Sequence, residues 1–210
     1  MDRHVSGNRS SDDALETIFH REKKSWITFL LIAVNIIAFA VESYKGFSEA
    51  SLLGMGASRV SMILSGQYWR LLTALFLHIS LAHLGSNLLG LLFLGDQVEA
   101  ALGHVRFLIL YLAGGIAGNY LSVLFYYRQG EDPLALGAST SVFALLGSML
   151  VLAITGTKGK KSRSDARHII MYLVLALLSG LVSPGIDGPA HLGGLVAGSL
   201  LTLLLIAVRQ

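Results

Sequence analysis

Residues 137–147 read GASTSVFALLG and residues 190–198 read AHLGGLVAG. Both stretches consist almost entirely of apolar and small residues, but each holds near its start one reactive side chain, Ser139 in the first and His191 in the second. Small residues recur along them at four-residue spacing, at Ala144 and Ser148 and at Ala190, Gly194 and Gly198, the pattern that lets membrane helices pack backbone against backbone. The two stretches therefore predict two packed membrane helices with a hydroxyl and an imidazole at their N-terminal ends.

The composition of the whole chain also indicates a membrane environment. Hydrophobic residues make up 53% of the 210 residues and charged residues only 14%, against roughly 25% charged in a typical globular protein. The mean hydropathy is +0.64. A soluble chain of this size leaves about a third of its surface exposed and could not hide so much apolar surface. The chain has no cysteine, which excludes disulfides and a thiolate nucleophile.

Six stretches are apolar enough, and close enough to the ~20 residues of a bilayer crossing, to be predicted as membrane spans. We therefore predict an all-α integral membrane protein, a six-helix membrane domain over residues 26–210, preceded by a short polar segment, residues 1–25. That segment has mixed charge and no apolar core, so we expect neither a cleaved signal peptide nor a mitochondrial transit peptide. The predicted spans are 26–44, 80–97, 105–127, 139–155, 168–183 and 190–208.

The positions of Lys and Arg predict how the spans are oriented. With the N-terminus inside, all but four of the 16 basic residues fall on the cytoplasmic side. We therefore expect both termini in the cytoplasm, in a plasma or inner membrane. The N-terminal ends of spans two, four and six then meet near the outer face. A net charge of +3, spread over separate segments, argues against a nucleic-acid partner. The four outer basic residues are Lys45, Arg59, Arg70 and Arg128.

Four positions stand out in these spans, where an ionisable or strongly polar group is costly and hence a functional candidate. His83 and Asn87 are four residues apart, on one face of span two. Ser139 begins span four and His191 begins span six, so all four side chains are expected at one depth near the outer face. Taken singly, each has a structural explanation, since serine commonly bonds the carbonyl one turn back and Asn or His commonly packs between helices.

Together the four residues predict nucleophilic catalysis. Ser139 lies at a loop-to-helix junction opened by Gly137 and Ala138, where free N–H groups can face a developing oxyanion. His191 can act as general base and then as general acid. His83 and Asn87 can donate to the oxyanion from the facing helix. The remaining candidate for a third member, Asp187, lies in a Gly/Pro loop, so we predict a dyad and not a triad.

Two other classes of protein are alternatives. A transporter, channel or scaffold could use the same polar residues, but the chain has no convincing internal repeat and its polar residues cluster at one depth. The second alternative is a metal-dependent membrane enzyme. His78 and His83 are five residues apart, on different helix faces, and the chain has no His-Glu-x-x-His. We therefore predict no metal and no other cofactor.

In their order along the chain, these residues resemble the rhomboid family of intramembrane serine proteases. The matching elements are Trp69-Arg70, the run HISLAHLGSN at residues 78–87, and the two stretches quoted first. The resemblance implies a peptide-bond hydrolase with membrane-protein substrates, whose nucleophile is Ser139 and whose base is His191. It also implies oxyanion-side roles for His83 and Asn87, packing of Phe143 on the catalytic histidine, and packing of span six on span four through Gly194 and Gly198.

The resemblance leaves a few positions open. Thr140 stands where the family often has glycine, so we expect it to narrow the space beside the oxyanion. Trp69 and Arg70 belong to a structural motif of the outer loop, or are anchors at the lipid headgroups. Glu99 resembles a structural acid, although a solvated helix end is the simpler explanation. We expect substrate to enter from the side, with span five and the loop 183–189 as a movable cap.

Overall fold

The computed structural model describes residues 25–155 and 186–208. These residues are helical apart from their connecting loops and one isolated antiparallel bridge between Ser58 and Ala135. The fifth predicted span and most of the N-terminal segment lie outside the described residues, as does most of the expected cap. The helices are α1 (Trp26–Lys45), α2 (Glu49–Met55), α3 (Val60–Leu64), α4 (Arg70–Thr73), α5 (Leu81–Leu102), α6 (His104–Gln129), α7 (Ser139–Ile154) and α8 (Gly188–Ala207).

Five of the predicted spans coincide with α1, α5, α6, α7 and α8. By length and composition, α1, α6 and α8 can each cross a membrane. A 3₁₀ turn, Ala74–Phe76, extends α4, and this unit can form a crossing together with α5, although the two parts are bent by 96°. Helix α7 is apolar but only 16 residues long. The described part of the chain thus contains three or four candidate crossings, and the six-span count and the orientation stay predictions.

The predicted start of span two agrees with the structure, but its predicted end does not. The Ser80 hydroxyl accepts a hydrogen bond from the His83 N–H at 3.1 Å, which caps α5. The helix then continues past residue 97 to Leu102, through a π-helical turn at Leu91–Gly95. The predicted end at residue 97 is therefore too early by five residues, and Glu99 beyond it is buried.

The interpretation of Glu99 as a solvated helix end was wrong, because the residue is only 2% exposed. Its carboxylate accepts hydrogen bonds from the Ile27 and Thr28 N–H groups at 3.0 and 2.8 Å, and from the Thr28 hydroxyl at 2.7 Å. The His104 ring lies 2.5 Å away. Glu99 therefore caps the N-terminus of α1 from a distant part of the chain, where a negative charge is favoured by the helix dipole.

We expect Glu99→Leu to destabilise the protein by about 1–3 kcal/mol, because it leaves two backbone N–H groups buried without an acceptor. The measurement is the unfolding midpoint in detergent. Gln97→Leu on the same helix is the control, since the Gln97 side chain donates to the Phe93 carbonyl at the surface. Equal losses of stability in the two variants would contradict the capping role.

Arg70 is a structural residue of the loop between α1 and α5. It is 8% exposed, and its Nη1 donates to the Leu53 and Ala57 carbonyls at 2.7 and 2.6 Å. Its guanidinium also lies 4.4 Å from the centre of the Trp69 ring. The arginine thus holds the loop together and is not a headgroup anchor, while the Trp69 side chain remains 52% exposed.

Helix α8 packs backbone against backbone on α7, as the small residues of the sequence predicted, and it also packs closely on α6. A Cβ added at Gly198 would overlap the Ala144 carbonyl oxygen and lie 2.5 Å from Ala144 Cα. One at Gly194 would overlap the Thr140 carbonyl oxygen, and one at Gly118 of α6 would lie 2.6 Å from the Gly194 nitrogen. This packing brings the N-terminal ends of α7 and α8 to the same end of the bundle.

Candidate active site

Ser139 and His191 lie within hydrogen-bond distance at this end of the bundle. The Ser139 Oγ and the His191 Nε2 are 2.9 Å apart, although the residues are separated by 52 positions in sequence. Ser139 is the first residue of α7 and His191 lies in the first turn of α8. The Phe143 ring, one turn along α7, stacks on the imidazole with centroids 4.2 Å apart and planes at 11°. The imidazole is therefore held between a serine hydroxyl and an aromatic face.

Asp187, which the sequence placed in a Gly/Pro loop, is the N-cap of α8 and fixes the start of that helix. Its Oδ1 accepts from the Ala190 N–H at 2.9 Å, and its carbonyl accepts from the His191 N–H at 3.1 Å. Its Oδ2 accepts from the Ser122 hydroxyl of α6 at 2.6 Å. Burial raises the pKa of the Asp187 carboxyl, and the hydrogen bonds from Ser122 and Ala190 oppose this shift. Both carboxylate oxygens accept hydrogen bonds that hold the start of α8 in place. The geometry therefore favours a dyad over a triad in which Asp187 would orient His191.

Gly137 provides the space beside Ser139. Its φ is +134°, and a Cβ there would lie 2.8 Å from the Cε1 and Nε2 atoms of His83. The His83 ring therefore sits against Gly137, next to the serine. The Gly137 N–H donates to the Ala74 carbonyl at 2.8 Å, so it is already engaged and is not a donor to an oxyanion. What Gly137 contributes is the space that its missing side chain leaves for the His83 ring. Ala138 is buried, and its carbonyl accepts from the Val142 N–H as α7 begins.

Asn87 lies one turn below His83 on α5 and is buried. Its Nδ2 donates to the His83 carbonyl at 3.1 Å, within its own helix. The structure therefore does not place the Asn87 amide on the Ser139 hydroxyl. Because an amide nitrogen carries two hydrogens, one N–H of Asn87 is left for a second acceptor.

Thr140 does not narrow the space beside the serine, so that expectation was wrong. Its hydroxyl donates to the Asn119 Oδ1 of α6 at 2.9 Å, and the Asn119 Nδ2 donates to the Leu71 carbonyl at 3.0 Å. Successive residues of a helix point in different directions, about 100° apart. The residue after Ser139 therefore faces α6 instead of the dyad.

Sequence reasoning missed several polar residues around the site. Asn119, Ser122 and Glu42 all lie in predicted spans, and the criterion that singled out His83 would have found them. Glu42 carries the strongest such signal, as an ionisable residue inside the first span. Among the described residues, no group of three or more His, Cys, Asp or Glu side chains is arranged to hold a metal ion.

The fold and the site together define an integral membrane protein with a serine–histidine pair near one end of its helix bundle. A family model described as the Rhomboid domain matches residues 65–208. Rhomboid protease GluP of Bacillus subtilis (strain 168) is 37% identical over 87% of this chain, and Rhomboid-like protease 3 of Toxoplasma gondii is 32% identical over 92%. RHOMBOID-like protein 7 of Arabidopsis thaliana is 28% identical over 97%. The chain belongs to the rhomboid family.

The length of this chain differs from that of its relatives. It spans 35% of the Bacillus protein, and 74% of both the Toxoplasma and the Arabidopsis protein. Within this chain, the family model covers residues 65–208.

Proposed function

We propose that this protein is an intramembrane serine endopeptidase that cleaves transmembrane segments of other membrane proteins near the outer leaflet. The observation that carries the proposal is the 2.9 Å separation between Ser139 Oγ and His191 Nε2. Membership of the rhomboid family, with protease-named relatives, supports it. The catalytic residues are Ser139 as nucleophile and His191 as base.

The reaction runs through an acyl-enzyme. The Ser139 hydroxyl gives its proton to His191 Nε2 while Oγ attacks the scissile carbonyl carbon. The resulting imidazolium protonates the leaving amine as the C–N bond breaks, so the acyl group remains on Oγ. Water then adds to the acyl carbon, giving its proton to His191, and the imidazolium returns a proton to Oγ as the ester bond breaks. The products are a carboxylic acid, an amine and the restored serine hydroxyl.

The oxyanion formed in each step needs donors that are already in place. The N–H groups at the start of α7 are one source, since the first turn of a helix has no intrahelical acceptors for them. The His83 ring against Gly137 and the free N–H of Asn87 are a second source on the facing helix. The stacking of Phe143 keeps the imidazole plane directed at Ser139 throughout.

The bilayer restricts which peptide bonds are accessible. A helix in lipid has every carbonyl engaged in hydrogen bonds, so a substrate must unwind before its carbonyl carbon can be attacked. Substrate segments that contain glycine or other weak helix formers unwind at lower cost. We therefore expect such segments to be preferred.

A fluorophosphonate probe tests the proposal directly, because it reacts with activated serine hydroxyls. The detergent-purified protein should be labelled, and mass spectrometry of its peptides should locate the label on Ser139. A folded sample that is not labelled, or is labelled elsewhere, would favour the alternative of a membrane scaffold or small transporter using the same polar residues.

We expect Asn87→Ala to lower turnover by about 10- to 10³-fold, as loss of one oxyanion donor does in other serine proteases. Its unfolding midpoint should change little, since the amide bonds only within α5 in the described structure. The neighbouring Ser86→Ala is the matched control, because the Ser86 hydroxyl donates to the same His83 carbonyl but lies exposed. Unaltered turnover of Asn87→Ala would remove Asn87 from the mechanism.

A further inference from the structure

Glu42 is a buried acid for which the mechanism above has no use. It lies in α1 near its C-terminal end and has 0% exposed surface. Its Oε1 accepts a hydrogen bond from the His78 N–H at 2.8 Å. Within residues 25–155 and 186–208, its other oxygen has no hydrogen-bond partner. In this part of the chain, the carboxyl therefore acts as the hydrogen-bond acceptor for the backbone N–H of His78.

His78 belongs to the turn at residues 77–80, where the chain bends by 96° between the 3₁₀ turn and α5. Its N–H lies outside the helical hydrogen-bond pattern, and the residue is fully buried. A buried backbone N–H needs an acceptor, and water is scarce in a bilayer. Glu42 supplies that acceptor from another helix, so it fixes the conformation of the turn.

The turn is connected to the dyad through ring packing. The His78 ring meets the His83 ring edge-on, with centroids 5.1 Å apart and planes at 64°. The His83 ring in turn lies against Gly137. A Cβ added at Gly137 would lie 2.8 Å from that ring and 3.5 Å from Ser139 Oγ, so the ring and the hydroxyl flank the same glycine. A continuous series of contacts thus leads from α1, through the two histidines, to the oxyanion side of Ser139.

We propose that Glu42 is a positioning residue for the proposed peptidase, acting through the 77–80 turn to seat the His83 ring beside Ser139. This inference rests on the proposed function of Ser139 and His191. The acceptor oxygen, and not the negative charge, is what the turn requires. Glu42→Gln retains an acceptor of the same reach, whereas Glu42→Leu removes it and keeps a side chain of related size.

The experiment measures two quantities on the full chain in detergent: the rate of fluorophosphonate labelling at Ser139, and backbone hydrogen exchange over residues 77–83. We expect Glu42→Leu to slow labelling by about 10-fold or more, since displacement of a catalytic group by ~1 Å can cost 10²-fold. It should also speed exchange at the turn. We expect Glu42→Gln to restore labelling to within about threefold of the wild-type rate, because the buried N–H keeps its acceptor.

Asn35→Leu is the matched control. Asn35 is equally buried in α1, but its Nδ2 donates to the Leu31 carbonyl of its own helix. We expect it to alter stability without slowing labelling per folded molecule. Equal slowing by Asn35→Leu and Glu42→Leu, equal slowing by Glu42→Gln and Glu42→Leu, or a wild-type rate for Glu42→Leu would each overturn the proposal.

A second pair of variants applies if Glu42→Leu fails to fold. His78→Ala keeps the backbone N–H but removes the ring that contacts His83, so labelling should slow, and His78→Phe should restore it by refilling the space. A wild-type rate for His78→Ala would contradict the proposed series of contacts.

The two readouts separate this proposal from the proposed function. Accelerated exchange at the turn in Glu42→Leu, in a protein whose wild type is not labelled at Ser139, would support the structural role of Glu42 and reject the peptidase. Normal labelling of the wild type and of Glu42→Leu would support the peptidase and reject the role of Glu42.

Discussion

Ser139→Ala is expected to lose peptidase activity by about 10⁴-fold or more, because the variant has no nucleophile to form the acyl-enzyme. The methyl group leaves the His191 ring stacked on Phe143 but without a hydroxyl to deprotonate. The fold should survive, since the variant loses only one hydrogen bond, worth about 1 kcal/mol. The measurement is cleavage of a co-expressed single-span protein together with the unfolding midpoint.

His191→Ala is expected to lower peptidase activity by about as much as Ser139→Ala. The double variant should lose little more activity than either single variant. Residues that act as one catalytic unit are strongly non-additive, because removing either disables the same step. Ser141→Ala is the control, since it makes the same chemical change two residues along α7, at a buried hydroxyl. Cleavage that persists in Ser139→Ala, or is lost equally in Ser141→Ala, would exclude the dyad.

Gly198→Ala is expected to destabilise the protein by about 2 kcal/mol or more, because its Cβ meets backbone that has no room to move. The added methyl overlaps the Ala144 carbonyl oxygen and lies 2.5 Å from Ala144 Cα, so α8 must move away from α7. That movement also separates His191 from Ser139, and activity per folded molecule should fall with stability. The measurements are the unfolding midpoint and the labelling rate at Ser139.

The same substitution at Gly85 provides the matched comparison. Gly85 lies within α5, and a Cβ there has nothing within 4 Å. Gly85→Ala should therefore be neutral, or slightly stabilising because alanine is the better helix former. Equal loss of stability at the two positions would mean that helix propensity, and not the approach of α8 to α7, explains the glycine at 198.

The bounds of the described helices and the approach of Ser139 to His191 could be predicted from the sequence. Apolar run length and four-residue spacing are local properties, so α1, α6, α7 and α8 begin and end within a few residues of the predicted bounds. Ser139 and His191 could be singled out because polar groups in an apolar run are costly wherever they pack. The parallel direction of spans four and six then predicted that the two would meet at one depth.

Only the tertiary structure decided which groups the other polar residues contact. Glu99 caps α1 from 71 positions away, Thr140 bonds α6 instead of facing the serine, and Asp187 joins α8 to Ser122. The 96° bend beside His78, supported by Glu42, also depends on a distant acceptor. A residue's spacing indicates the face of a helix on which it lies. The group packed against that face is determined by how helices far apart in the chain come together.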